Sequence, residues 1–65
     1  MKVMIVDANT INEVIETRQP LGLFLCREGR YWVAVDNSDG DAWTEEFRWK
    51  FRAIQWLRGK FEVSQ

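Results

Sequence analysis

Followed for its apolar and polar positions, the chain opens with "KVMIV" at 2–6, a β-branched run that predicts a strand. "DANTIN" then reads as a turn. The next stretch, "EVIETRQ", is ambiguous. Ile11, Val14 and Ile15 recur at helical spacing, but the segment is short and β-branched. A second strand closing an N-terminal hairpin is preferred, with a helix over 11–18 as the alternative. Pro20 lacks a backbone donor and marks a bend or a sheet edge.

The middle of the chain alternates more plainly. "LGLFLC" (21–26) and "YWVAVD" (31–36) predict two strands joined by "REGR", with Glu28-Gly29 as a two-residue turn. That turn sets Cys26 opposite Tyr31, Leu25 opposite Trp32, Phe24 opposite Val33 and Leu23 opposite Ala34. "AWTEEF" (42–47) is the next strand. A reversal centred on Asp39-Gly40 pairs Asp36 with Trp43, Val35 with Thr44 and Trp32 with Phe47. Antiparallel partners share a face. One face therefore carries Leu21, Leu23, Leu25, Trp32, Ala34, Trp43 and Phe47, and the other carries Phe24, Cys26, Tyr31, Val33, Val35, Ala42, Thr44 and Glu46.

From residue 48 the period lengthens. Trp49, Ala53, Trp56 and Leu57, widened by Phe51 and Ile54, form a helical stripe with Arg48, Arg52 and Gln55 opposite. Gly59 is a natural stop, Arg58 suits a helix C-terminus, and "KFEV" after it returns briefly to alternation. The pattern predicts a single α+β domain over 1–65: an antiparallel sheet of about four or five strands, with one C-terminal amphipathic helix packed on the leucine-rich face.

Composition adds constraints. A chain of 65 residues buries only about 60% of its unfolded surface, so its stability is modest or borrowed from a partner. Cys26 is the only cysteine, so no disulfide forms within the chain, and its place in an apolar run suits a packed thiol. The absence of histidine removes the usual general base, the usual zinc nitrogen ligand and the familiar nucleophile pairs. Lys2 and Asp7 bracket only four apolar residues, too few for a signal peptide or membrane span, so a soluble cytoplasmic protein is expected. The net charge of −1 is unevenly spread: positions 1–47 hold four basic and nine acidic side chains, whereas 48–60 hold Arg48, Lys50, Arg52, Arg58 and Lys60 and no acid.

Three stretches invite functional readings. "DNSDGDAW" (36–43) resembles a calcium loop in composition, but with Gly40 at the template's glycine position Val35 falls where the first ligand must be. Asp, Asn, Ser and Gly favour tight reversals, so a turn is expected, with no metal. Glu45 and Glu46 are adjacent on a strand and point to opposite faces, so they cannot act as a catalytic pair. With Asp36, Asp39 and Asp41 they form an acidic edge. No catalytic residues, cofactor or enzymatic activity are expected. "RWKFRAIQWLRGK" interleaves basic and aromatic residues; a core helix with a solvated basic face is preferred, with nucleic-acid binding through Arg48, Arg52, Gln55 and Lys60 as the alternative.

The third feature is an apolar surplus. One helix covers one sheet face, leaving Phe24, Tyr31, Val33 and Val35 to an N-terminal hairpin or to another chain. A protein partner or a homodimer is expected there.

"DNSDGDAWTEEF" followed by "AIQWLRG" resembles the C-terminal part of small, uncharacterised proteins encoded by phages and mobile elements. The sheet-then-helix order of 21–58 is also similar to the three-stranded DNA-binding modules at the N-termini of some tyrosine integrases. Those modules place basic residues on the sheet, where this chain has acidic or apolar ones. The first resemblance implies an accessory protein that binds or inhibits a host protein. The expected function is thus a non-enzymatic protein-interaction module, with nucleic-acid binding by the basic helix as the alternative.

Overall fold

The computed structural model describes residues 2–59, and within them the elements run β1 (Val3–Ile5), α1 (Ala8–Thr17), β2 (Gly22–Glu28), β3 (Tyr31–Asn37), β4 (Trp43–Phe47) and α2 (Lys50–Gly59). The strands form one sheet in the order β1-β2-β3-β4. β1 pairs parallel to β2, whereas β2–β3 and β3–β4 are antiparallel. The fold is therefore α+β with a mixed four-stranded sheet and two helices, correcting the antiparallel sheet with a single helix. None of the described helices is long and apolar enough to cross a membrane. The "KFEV" segment lies outside the described residues.

The difference originates at 8–17, which forms a helix and not the preferred strand. Asp7 caps it, its carboxylate accepting a 2.8 Å hydrogen bond from the Thr10 N–H, and so satisfies one of the orphan donors of a helix N-terminus. Arg18 closes it in a left-handed conformation, its N–H donating to the Val14 carbonyl at 2.8 Å. Ile11 and Val14, one helical turn apart, are both buried. Burial of that stripe outweighs the weak helix propensity of Ile, Val and Thr. As a crossover element, α1 also lets β1 run parallel to β2.

The sheet is covered on both sides. Ile11 and Val14 pack on Phe24, Cys26, Val33 and Val35. Ala53 and Leu57 of α2 pack on Leu23, Leu25 and Ala34, with Trp32, Phe47, Ile54 and Trp56 at the margin. These are the two faces that alternation predicts. Leu21 and Trp43, assigned to the leucine face, instead remain more than half exposed, as do Trp49 and Phe51 of the expected helical stripe.

The β3–β4 register agrees with the expected one, Asp36 opposite Trp43 and Trp32 opposite Phe47. The β2–β3 hairpin is displaced by two residues: Cys26 faces Val33, Arg27 faces Trp32 and Glu28 faces Tyr31. Gly29-Arg30 is the turn, with Gly29 at φ 61, the positive φ that primed hairpin turns demand. A shift of two residues leaves every side chain on its original face. It does, however, lengthen the hairpin and bring Arg27 beside Trp32.

Candidate functional site: a cationic, aromatic groove

The expected protein-binding face is closed. Phe24, Val33 and Val35 are buried beneath α1, and only Tyr31, near the hairpin tip, remains half exposed. Coverage comes from within the chain, by a helix where a hairpin was expected. The same helix covers the centre of the sheet face opposite α2, whereas Met4, Tyr31, Thr44 and Glu46 on that side stay exposed.

The loop after β3 uses its polar side chains on itself. Asp36 accepts from the Ser38 N–H at 3.0 Å and the Ser38 hydroxyl at 2.6 Å, and Asp39 accepts from the Asp41 N–H at 3.1 Å. Asn37, wholly buried, donates to the Pro20 carbonyl at 2.9 Å and accepts from the Ala42 N–H at 3.1 Å. These bonds are the turn chemistry that the composition predicts. Of the expected acidic edge, Asp36 is buried, whereas Asp39, Asp41, Glu45 and Glu46 are exposed. Cys26 is buried, and its thiol pKa is raised first by that burial and then by the charges of Glu28 and Asp7. Such a thiol is a poor nucleophile.

The surface feature that gathers chemistry lies at the other end of β3. A groove of about 470 Å³ is lined by Arg27, Arg30, Trp32, Arg48, Trp49 and Lys50. Two chain segments build it: the β2–β3 hairpin, and the junction where β4 passes into α2. They meet because Trp32 pairs with Arg27 on one side and with Phe47 on the other. That row brings the residues after Phe47 over the hairpin.

Within the groove the indoles organise the cations. The Arg27 guanidinium lies 5.6 Å and the Lys50 ammonium 5.4 Å from the Trp32 ring centroid, and the Arg48 guanidinium lies 6.0 Å from that of Trp49. These distances are within cation–π range, about 6 Å. Arg27 also donates through Nε to the Gly29 carbonyl at 3.2 Å, which ties it to its own turn. Among the described residues, the lining contains no carboxylate. Four positive charges thus share one concavity with two aromatic planes.

Of the residues expected to contact nucleic acid, Arg48 belongs to this groove. Arg52 and Gln55 are exposed on α2, with Arg52 lying 5.7 Å from the Phe51 ring, and Lys60 lies outside the described residues. Arg27, Arg30, Trp32, Trp49 and Lys50 were not among the expected contacts. The available signal was the pair of arginines in "REGR", the first of which is set opposite Trp32 only by the two-residue shift of the hairpin. No protein-family model matches the chain, and no curated protein or solved structure is significantly similar to it.

Proposed function

We propose that the protein is a non-enzymatic binding module for nucleic acid, acting through the groove between the β2–β3 hairpin and the start of α2. The observation that carries this reading is the groove lining, which among the described residues has four cations and two indoles with no carboxylate. Phosphates are recognised by Lys and Arg, and bases by aromatic planes. The combination in one concavity fits a ligand bearing both.

The position of the cations gives further support. Arg48, Lys50 and Arg52 surround the N-terminus of α2, and no acidic residue occupies its first turn. Positive charge there opposes the helix macrodipole and sacrifices a few tenths of a kcal/mol or more per residue. Natural chains break such local rules mainly at functional or strained sites, and here Lys50 gains the Trp32 ring in exchange. An anion bound in the groove would offset the conflict.

Fluorescence anisotropy of labelled oligonucleotides at two salt concentrations tests the reading. Four phosphate contacts imply a log–log salt slope of about −3 on single strands, or roughly fifty-fold weaker binding between 50 and 200 mM salt. Arg30→Glu combined with Arg48→Glu should remove binding without unfolding the chain, because both residues are exposed. No binding of any oligonucleotide at 50 mM salt would refute the proposal.

A further inference from the structure

Resting on the nucleic-acid reading above, we infer that the groove receives an unpaired nucleotide, so that the protein selects single strands over duplexes. The two tryptophans play different parts. Trp32 is half-buried among the α2-facing core residues, and Arg27 and Lys50 lie against its ring. It is the floor of the groove and a positioning residue that holds two cations in place. Trp49 is 59% exposed, at the entry to α2, with the Arg48 guanidinium nearby. It is the plane on which a base can stack.

Shape decides between single and double strands. Duplex readers insert a free helix or two-stranded ribbon into a major groove about 12 Å wide, whereas here the end of the β2–β3 ribbon is joined to the start of α2. Here the cations and indoles line a concavity. Its volume of about 470 Å³ lies toward the lower end of the roughly 300–1,000 Å³ typical of small-ligand pockets. A splayed base with its sugar enters a space of that size, with flanking phosphates on Arg30 and Arg48. In a duplex the bases are stacked on one another and paired, and Trp49 would meet only the backbone.

The test titrates the full chain at low salt with four labelled probes: single-stranded dodecamers of thymidylate and of uridylate, the thymidylate strand paired with its complement, and an abasic dodecamer. At least one base-bearing single strand should bind about tenfold or more tightly than the duplex or the abasic strand. Trp49→Ala should remove about that factor for the single strand and leave the abasic strand unaffected, whereas Trp49→Phe should retain most of the affinity. The circular dichroism of both variants should match that of the parent.

Duplex or abasic probe bound as tightly as the single strands, with Trp49→Ala indifferent, would overturn the inference and leave a phosphate cradle. Nucleic-acid binding would then still stand. Failure of all four probes to bind would bring down both readings.

Discussion

Asp7 illustrates how one side chain fixes a segment. Its carboxylate accepts the Thr10 N–H and so stands at the N-terminus of α1, where negative charge is favoured by the helix dipole. The hydrogen bonds from Thr10 lower its pKa from the usual 3.8. A carboxyl with a lowered folded-state pKa stabilises the fold above the unfolded value and loses that contribution as pH falls through the folded one. Asp7→Asn preserves the cap without the titration. Compared with the parent, it should show a smaller decline in melting temperature as the pH is taken below 3.8, with little change near neutrality. Equal acid sensitivity in the two proteins would show that the cap does not discriminate between charged and neutral forms. At this scale the sequence was readable only in hindsight. Asp7 and Thr10 have capping spacing, but they lie in a stretch, "DANTIN", whose composition suits a turn equally well.

At the scale of elements, α1 determines whether the second sheet face is core or interface. The helix is ten residues long, too short to persist alone in water, so its existence depends on docking Ile11 and Val14. Val33, in the cluster on which α1 docks, is 7% exposed. Val33→Glu places an ionisable group beneath the helix, where desolvation costs several kcal/mol. In a domain this small, that loss should abolish the cooperative fold at neutral pH, seen as collapse of the far-UV circular dichroism and of amide dispersion in NMR spectra. Tyr31→Glu, at a half-exposed position on the same face, should leave the fold intact. A folded Val33→Glu variant would instead mean that the face is open and available to a partner, as the apolar surplus first suggested. The strands, their faces and α2 were legible because alternation and the helical stripe are set by burial. The register of β2–β3 was not, because a slip of two residues keeps the same faces inward and is decided by turn geometry alone: Gly29 at the first turn position, with Arg30 after it.

Across the whole molecule, charge is unevenly placed along β3, with Glu28 opposite Tyr31 at the more basic end and Arg18 donating to the Gly40 carbonyl at the more acidic one. The groove lies at the Tyr31 end and the loop bearing Asp39 and Asp41 follows the Asn37 end, about 20 Å away at the rise of a strand. The sequence showed this asymmetry as a count of acidic and basic residues before and after position 47. The fold changes its meaning, because Arg27 and Arg30 from the acidic half join the basic end. The acidic loop does not line the groove, but its field repels an oligonucleotide on approach. The Debye length is about 30 Å at 0.01 M salt and about 8 Å at 0.15 M. Asp39→Asn with Asp41→Asn should therefore speed association of a single-stranded oligonucleotide at 0.01 M salt and leave it unchanged at 0.15 M, as measured by stopped-flow mixing. The turn should survive, since an amide oxygen at position 39 still accepts the N–H that Asp41 now donates to Asp39. Dissociation should be unaffected, because steering acts on encounter while the bound contacts are unaltered. An acceleration that persists at 0.15 M would place the loop in contact with the ligand, and would require a binding surface longer than the groove.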